Sequence, residues 1–314
     1  MFQPRHGVYP TMITPYNRDG SIDYGAVRAL TAWYHAQGCD GIFAACQSGE
    51  IHMLSLDERV QLAAVVRETA AELAAAHGDE PMTVVASGHV SDDAGAQLRE
   101  LEAVAATGVD ALILISNRFD IANTSDAKWN EALDGMLEKL PDIPLGIYEC
   151  PRPYKRLLTP AMIDHITRTG RFAFIKDACC DRIEIARRVK QIDGTPSPAL
   201  KPALFNANAQ TLLDALRAGA AGYCGVMCNF HPALYVRLCR TFRADDEKAE
   251  QLAALLSQAA FIEGIDYPSI AKYHLDKVGV AMCDISRTAR CTTDYDRLCV
   301  DRMDALIDMV SGMI

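Results

Sequence analysis

The sequence predicts an α/β protein: one (β/α)8 barrel, or TIM barrel, followed by a C-terminal helical extension. Three observations lead to this fold class. Short apolar runs alternate with helix-like segments from the start of the chain, and eight such pairs follow one another. Half of the 314 residues are apolar, which is enough for one large core. We assign residues 1–243 to the barrel and 244–314 to the extension.

Each predicted strand is a short apolar run bounded by turn residues. In order, the strands are 7–15, 41–46, 82–87, 110–116, 144–148, 172–176, 199–205 and 222–227. The helices that follow them are 23–37, 57–76, 92–107, 126–140, 160–169, 181–192, 208–218 and 232–243. Further helices at 245–263, 268–278 and 294–312 form the extension.

Local signals mark two of the helix starts. Ser55 and Glu58 form a capping box, in which each side chain satisfies a free backbone N–H at the start of a helix. Thr159 and Pro160 supply an N-cap and a proline at the first helical position. A doubly wound open sheet is the alternative fold. It should carry a glycine-rich nucleotide turn after the first strand, and the segment YNRDG at 16–20 is not one.

Composition restricts the partners. A net charge of −10 argues against nucleic acid and anionic membranes. No segment approaches the ~20 apolar residues of a membrane span, and the N-terminal MFQPRHGVYP has no secretory h-region. We therefore expect a cytoplasmic protein with reduced cysteines. Cys224, Cys228 and His231 come nearest to a metal set, but their spacing matches zinc sites poorly, so we expect an ordinary strand-to-helix junction and no metal.

The active site of such a barrel lies at the C-terminal ends of its strands. Polar residues occur there after strands two, five, six and eight. They are found at Gln47, Ser48, Gly49 and Glu50, then in the segment Tyr148, Glu149, Cys150 and Pro151, then at Lys176, and finally at Asn229. These segments are expected to converge on one mouth, and Cys224 of strand eight is included among the candidate substrate-binding residues.

Lys176 ends the apolar strand 172–176. It can be a rim lysine paired with Asp177, with its ammonium group in water. Alternatively it points along the barrel axis, where desolvation favours the neutral amine, a nucleophile toward ketones. Tyr148 is either a rim aromatic or a phenol that moves protons for the lysine. Ser48 and Gly49 either form a simple turn or bind a carboxylate, and Glu50 is expected to hold that turn.

In combination these residues resemble the dihydrodipicolinate synthase / N-acetylneuraminate lyase family of pyruvate-type class I aldolases. The likeness covers most of the chain. It includes GVYPTMITPYNRDGSID, GCDGIFAACQSGEIHMLSLDER, GIYECP, FIKDACCD, AGAAGYCGVMCNFHP and YPSIAKYHLDKVG. The resemblance implies that Lys176 forms an imine with a 2-oxo acid, that Tyr148 is the general acid/base, and that residues 47–48 hold the substrate carboxylate. It also implies a homo-oligomer, a dimer or tetramer, that needs no metal or separate cofactor.

Several positions depart from the family pattern. Gln47 and Ser48 replace a pair of hydroxyl residues, and Phe119 aligns with the tyrosine that relays protons across a subunit interface in the synthases. Pro153 replaces an arginine that grips a second substrate, with Arg152 one position earlier. These departures argue against the lysine-biosynthesis synthase and against sialic acid lyase. Arg118 and Arg152 are then the candidate specificity residues for a distal carboxylate or phosphate, or else solvated loop arginines.

Three functions follow as hypotheses. The first is a Schiff-base-forming lyase or aldolase acting on pyruvate, a related 2-oxo acid or a 2-keto-3-deoxy sugar acid. The second is a sugar-acid dehydratase that uses the same lysine imine. The third is a non-catalytic barrel that binds a metabolite, suggested by the missing relay tyrosine and the altered loop. The retention of Lys176 together with Tyr148 favours catalysis.

Overall fold

The computed structural model describes residues 2–196, 201–288 and 292–313. Within them, eight parallel strands form a barrel, which confirms the predicted fold class. They are β1 (Gly7–Val8), β2 (Gly41–Phe43), β3 (Thr83–Ser87), β4 (Ala111–Ile115), β5 (Leu145–Tyr148), β6 (Phe172–Asp177), β7 (Ala203–Asn206) and β8 (Gly222–Tyr223). Residues 199–200 of the predicted seventh strand lie outside the described residues.

Strand order is β1-β8-β7-β6-β5-β4-β3-β2, and the barrel closes between β1 and β2. There Thr11 forms a parallel bridge with Phe43. The Phe43 N–H donates to the Pro10 carbonyl at 2.9 Å, and the Met12 N–H donates to the Phe43 carbonyl at 3.0 Å. The first strand was predicted over 7–15 but its regular part ends at Val8. Pro10 and Pro15 have no N–H to donate, so a continuous ladder cannot form.

Helices follow the strands in turn. In the described residues they are α1 (Tyr24–Ala36), α2 (Leu56–His77), α3 (Ala94–Ala105), α4 (Asp126–Leu137), α5 (Pro160–Thr169), α6 (Arg182–Asp193), α7 (Leu212–Ala218), α8 (Pro232–Thr241), α9 (Asp246–Ala259), α10 (Ser269–Lys277) and α11 (Asp294–Ser311). The capping box at the start of α2 is confirmed. Glu58 Oε2 accepts the Ser55 N–H at 2.8 Å, and Ser55 Oγ accepts the Glu58 N–H at 3.2 Å.

Two apolar cores result from the alternation of side chains along the strands. Ile175 and its outward-facing equivalents pack under the helices, whereas Phe174 lies inside the barrel. Phe174 stacks on Phe205 at a centroid distance of 4.3 Å, and Tyr9 meets both rings edge-on. Gly146 faces this aromatic layer, where an added Cβ would lie 2.4 Å from Ile113 Cδ1. This aromatic layer fills the lower part of the barrel interior. The next inward-facing side chain of each strand, toward the C-terminal end, therefore forms the floor of the barrel mouth.

The helices α9, α10 and α11 follow the barrel. α9 packs against α7 and α8, and α11 packs against α9 and α10. The predicted boundary at 243/244 falls in the connection between α8 and α9. We propose that α9–α11 are an extension of the barrel, since they pack on its outer helices. None of the helices in the described ranges combines the length and apolar character needed to cross a membrane.

Candidate active site

Lys176 and Tyr148 lie side by side at the mouth of the barrel. They are register partners on the neighbouring strands β6 and β5, so their side chains point to the same face of the sheet. Lys176 is only 4% exposed, and its Nζ lies 4.1 Å from the centre of the Tyr148 ring and 5.2 Å from that of Phe43. The amine therefore stands inside the barrel against aromatic faces, and it does not extend into bulk water as a rim lysine would.

Three buried thiols surround this pair. Cys46 follows β2, Cys150 follows β5 and Cys224 follows β8, and all belong to the inner core. Burial raises the pKa of each thiol, for Cys224 to about 12, and the nearby charge of Lys176 acts in the opposite direction. The thiols are therefore uncharged at neutral pH. The sequence analysis placed Cys150 at the mouth without giving it a role, and it did not select Cys46, which directly precedes the glutamine–serine turn.

The phenol of Tyr148 is held in its protonated form. Its pKa lies well above the usual value, mainly because the side chain is buried. The neighbouring thiols of Cys150, Cys46 and Cys224 raise this pKa further. Cys150 also connects Tyr148 to the turn after β2, because the Cys150 thiol lies 3.6 Å from Gln47 Oε1. A neutral phenol next to an amine can donate a proton to an oxygen that leaves the substrate.

The turn after β2 is a single 3₁₀ turn, Gln47–Gly49. Ser48 Oγ donates to Thr11 Oγ1 at 3.0 Å, which holds the hydroxyl at the barrel rim. Gly49 packs behind the turn, where a Cβ would lie 3.0 Å from the Met12 carbonyl oxygen. Its N–H already donates to the Cys46 carbonyl at 3.0 Å. The groups left to face a ligand are therefore those of Gln47 and Ser48.

Glu50 was expected to hold its own turn. Instead, its side chain binds a segment that is far away in the sequence, residues 286–288. Its Oε1 accepts from the backbone N–H groups of Arg287 and Thr288, each at 2.8 Å, and from the hydroxyls of Ser286 and Thr288. The ammonium group of Lys272 lies 3.7 Å from Oε2. Asn229 is also structural, since its amide donates to the Thr11 carbonyl at 2.9 Å. These contacts fix the active-site rim to the C-terminal extension.

A buried ion cluster supports the two catalytic strands from behind. Arg188 of α6 lies 2.8 Å from Glu149 Oε1 and 2.5 Å from Asp177 Oδ2. Glu149 follows Tyr148, and Asp177 follows Lys176, so the cluster ties the ends of β5 and β6 together. One guanidinium faces these two buried carboxylates and a third, partly exposed one, since its Nε donates to Glu184 Oε1 at 3.1 Å. Burial raises the pKa of Glu149, while Arg188 opposes the shift and Asp177 adds to it.

The two arginines selected from the sequence both border the mouth. Arg118 is buried, and its Nη1 donates to Asp92 Oδ1 at 2.7 Å and to the Val90 carbonyl at 3.1 Å. Its Nη2 is buried and makes no hydrogen bond within the described residues. Arg152 is exposed. Lys155 adds a third cation to this side of the mouth, so an anion entering here meets several positive charges.

A cavity of about 1100 Å³ opens above Lys176. Of the residues selected from the sequence, Gln47, Ser48, Tyr148, Lys176, Arg118 and Arg152 line it, whereas Gly49 and Cys224 lie behind its walls. Tyr267 and Arg287 of the extension also line the cavity. Sequence reasoning missed both. Tyr267 stands in the segment YPSIAKYHLDKVG, which carried part of the resemblance, but no local signal indicated Arg287.

Two other sequence interpretations can be compared with the structure. Phe119 does not face the cavity; it is buried against Trp129, at a centroid distance of 5.7 Å, and against His89 at 5.6 Å. Cys224 and Cys228 belong to the inner and outer cores respectively, and His231 turns toward α11. The three do not converge on one point, as expected for an ordinary strand-to-helix junction.

Comparisons with known proteins agree with this geometry. The model of the dihydrodipicolinate synthetase family matches residues 4–292. A 4-hydroxy-tetrahydrodipicolinate synthase from Bifidobacterium longum is 26% identical over 295 residues, which cover 93% of this chain and 90% of that protein.

Solved structures show the same fold at lower identity. A sialic acid aldolase from Ruminococcus gnavus superposes with a TM-score of 0.84 at 17% identity, covering 99% of both chains. A prophage protein of the dihydrodipicolinic acid synthase family from E. coli K12, solved in complex with pyruvate, gives a TM-score of 0.82 at 18% identity and covers 98% of both chains. From the family match over nearly the whole length, the chain belongs to the dihydrodipicolinate synthetase family and is a class I aldolase or lyase.

Proposed function

We propose that this protein is a Schiff-base-forming lyase or aldolase acting on pyruvate, a related 2-oxo acid or a 2-keto-3-deoxy sugar acid. The observation that carries the proposal is the position of the Lys176 amine. It is buried at the base of an open cavity, 4.1 Å from the centre of the Tyr148 ring. An amine in this position can attack a carbonyl carbon that the surrounding walls hold in place.

The chemistry proceeds in balanced steps. Lys176 Nζ attacks the substrate's C2 carbonyl and forms a carbinolamine, and Tyr148 donates its proton to the hydroxyl that leaves as water. The resulting protonated imine accepts an electron pair. When the C3–C4 bond breaks, that pair moves to the imine and forms an enamine, while the C4 hydroxyl gives its proton to the Tyr148 phenolate and becomes an aldehyde. Protonation at C3 and hydrolysis then release pyruvate and the free lysine.

The substrate carboxylate has a binding place near the lysine. Ser48 Oγ and the side chain of Gln47 line the cavity on the opposite wall from β6. Only one hydroxyl is present at this turn, so Gln47 supplies an amide where the family has a second hydroxyl. The Gln47 side chain points toward Cys150, which keeps the amide beside Tyr148.

The dimensions and charge of the cavity favour a substrate longer than pyruvate. A volume of about 1100 Å³ is near the upper end for small-molecule sites and far exceeds what a three-carbon acid fills. Arg118, Arg152 and Lys155 supply positive charge away from Lys176. We therefore infer a distal anionic group, a carboxylate or phosphate, bound by the guanidinium groups of Arg118 and Arg152, which line the cavity.

A sugar-acid dehydratase remains a second candidate. It would form the same imine and then expel the C4 hydroxyl as water, without breaking a carbon–carbon bond. Product analysis with a 2-keto-3-deoxy sugar acid distinguishes the two, because only the lyase releases pyruvate. A non-catalytic metabolite-binding barrel is the third candidate.

The deciding experiment is reductive trapping. The protein is incubated with pyruvate and borohydride, and the intact mass is then measured, with peptide mapping to locate the adduct. We expect a stable adduct on Lys176, and no adduct in a folded Lys176→Ala variant. Lys155→Ala, which removes another lysine that lines the cavity, is the matched control and should still be trapped. A folded wild-type protein that forms no adduct would favour the binding role.

We also infer a homo-oligomer. One face of α11 exposes Tyr295, Leu298, Leu306 and Met309, which are 40–71% exposed and spaced to form a single stripe. Arg302 interrupts this stripe, but several exposed apolar side chains on one helix face are typical of an interaction surface. Light scattering after size-exclusion chromatography should give a mass of two or four chains. Leu298→Glu should lower that mass if this stripe is the interface, whereas a monomeric wild type would contradict the inference.

A further inference from the structure

Two histidines and one carboxylate meet outside the barrel, where α8 contacts the extension. We call His231, His274 and Asp304 the His–Asp cluster. His231 directly precedes α8, His274 lies in α10 and Asp304 lies in α11. One ligand atom from each lies within 4.8 Å of the other two. The cluster is separate from the cavity above Lys176, since none of its members lines that cavity.

The distances within the His–Asp cluster suit a bound transition metal. Asp304 Oδ1 is 3.0 Å from His274 Nδ1 and 3.4 Å from His231 Nε2. Around a tetrahedral zinc ion with bonds of about 2.0–2.2 Å, neighbouring ligand atoms are roughly 3.3–3.5 Å apart. The two contacts of Asp304 are therefore close to those around such an ion, whereas the two histidine nitrogens, which lie within 4.8 Å of each other, have to approach each other to bind it.

The hydrogen bonding of His274 points the same way. Its Nε2 lies 2.7 Å from the Phe230 carbonyl oxygen, and its Nδ1 faces the Asp304 carboxylate. A neutral imidazole has a single N–H and can donate to only one of these two acceptors. If Nε2–H donates to Phe230, the Nδ1 lone pair faces a carboxylate, which is unfavourable unless a proton or a metal ion lies between them. Metal-binding histidines typically donate their second ring N–H to such a carbonyl.

Two members of the His–Asp cluster also have unused polar atoms. His231 Nε2 and Asp304 Oδ1 are buried and face each other at 3.4 Å, but neither makes a well-aligned hydrogen bond within the described part of the chain. Buried polar atoms are nearly always paired, so an unpaired donor–acceptor set that faces inward calls for an explanation. The other carboxylate oxygen, Oδ2, accepts from Lys277 Nζ at 3.0 Å. This contact orients the carboxylate so that Oδ1 faces the two histidines.

We propose that the His–Asp cluster binds one Zn²⁺-type ion through His231 Nε2, His274 Nδ1 and Asp304 Oδ1, with water as the fourth ligand. Imidazole and carboxylate ligands at these separations suit zinc better than calcium or magnesium, which prefer more oxygen ligands. The ion fastens α8 of the barrel to α10 and α11. Because Tyr267, just before α10, lines the substrate cavity, the ion would also steady that wall.

The test is metal binding by the full chain. Protein stripped with a chelator is titrated with ZnCl₂ by calorimetry, and its zinc content is measured after desalting. The variants are His231→Gln, His274→Gln and Asp304→Asn. His165→Gln is the matched control, since it removes a partly buried histidine that contacts a different carboxylate, Asp134. A cobalt-loaded sample is examined by absorption spectroscopy to distinguish imidazole and carboxylate ligands from cysteine thiolates.

We expect one zinc per wild-type chain and at least a ~10-fold loss of affinity in each cluster variant, since even indirect ligand contacts are worth 10–100-fold. His165→Gln should bind zinc like the wild type, and the cobalt spectrum should lack a thiolate charge-transfer band. His231→Gln leaves the contacts of His274 and Lys277 with Asp304 intact. If the other variants fold poorly, the zinc affinity of this variant alone tests the proposed site. A wild type that binds no zinc, or cluster variants that bind as tightly as the wild type, would overturn the proposal.

Discussion

The substitution Arg188→Met removes the cation that holds β5 and β6 together. The Arg188 side chain is 1% exposed and contacts Glu149 and Asp177, neither of which is exposed at all. It also donates to the Leu158 carbonyl at 2.8 Å. Methionine fills much of the same volume but leaves two buried carboxylates without their counter-ion and the Leu158 carbonyl without this donor. The variant therefore isolates the loss of charge from the loss of packing.

The expected destabilisation is large. Removing one partner of a buried ion pair costs about 3–5 kcal/mol, because the remaining charge has lost both water and its counter-ion. Native domains have a total stability of about 5–15 kcal/mol, so a substantial fraction is lost. For a chain of this size we expect the melting temperature to fall by roughly 6–10 °C.

The loss should depend on pH with a definite sign. Without Arg188, burial and Asp177 raise the pKa of the Glu149 carboxyl further above its value of 4.5 in the unfolded chain. The folded state then binds more protons than the unfolded state above that value, so the free energy of unfolding falls as pH rises. Relative to the wild type, Arg188→Met should be destabilised less at pH 5 than at pH 8.

Urea unfolding at both pH values measures the effect. Arg187→Met is the matched control, because Arg187 is the adjacent arginine on α6, is 37% exposed and pairs with Glu184 at the surface. It should change the free energy of unfolding by less than ~1 kcal/mol. If Arg188→Met were as stable as Arg187→Met, or lost the same free energy at pH 5 and pH 8, the argument from buried charge would be refuted.

Three further predictions concern single groups. Tyr148→Phe should slow exchange of the pyruvate methyl protons with D₂O, followed by NMR, by about 10²-fold, because the proton donor is lost; an unchanged rate would remove Tyr148 from catalysis. Arg118→Met should raise KM by about 10–100-fold for 2-oxo acids with a distal carboxylate while leaving pyruvate trapping intact, and Arg152→Ala should raise it less; equal KM values would exclude these arginines from recognition. Burial lowers the pKa of Lys272 to about 8, although Glu50 opposes the shift. As pH rises, Lys272 loses its proton at a lower pH in the folded state than in the unfolded state. The free energy of unfolding of the wild type should therefore increase by roughly 3 kcal/mol between pH ~8 and ~10.5. Lys272→Met, compared by urea unfolding, should lack that gain, and a parallel pH profile would contradict the assignment.

Much of the fold could be predicted because its signals are local. The run 172–176 has the length and apolar character of a buried strand, and the structure has β6 there. The Ser55–Glu58 capping box forms as predicted because both partners lie within one turn of helix. The end of β1 was harder to place, since the closure of the barrel between Thr11 and Phe43 depends on a strand more than thirty residues away.

The candidate site was partly accessible from the sequence. Strand ends in a barrel meet at one mouth, so Lys176, Tyr148 and Ser48 could be placed together before any geometry was known. The role of Glu50 could not be anticipated, because its partners at 286–288 are more than 230 residues away. The unpaired state of Arg118 Nη2 was equally hidden, since it depends on which neighbours occupy the other guanidinium nitrogens.

The sequence by itself determined the order of strands and helices, the lysine at the end of an apolar strand and the family. Periodicity and short motifs act over a few residues, and eight repeats of one pattern leave little choice of architecture. Only the tertiary structure decided that thiols surround the amine, that Tyr267 and Arg287 of the extension complete the cavity, and that His231 meets His274 and Asp304. These juxtapositions depend on packing between distant segments, whose angles and side-chain directions no local pattern encodes.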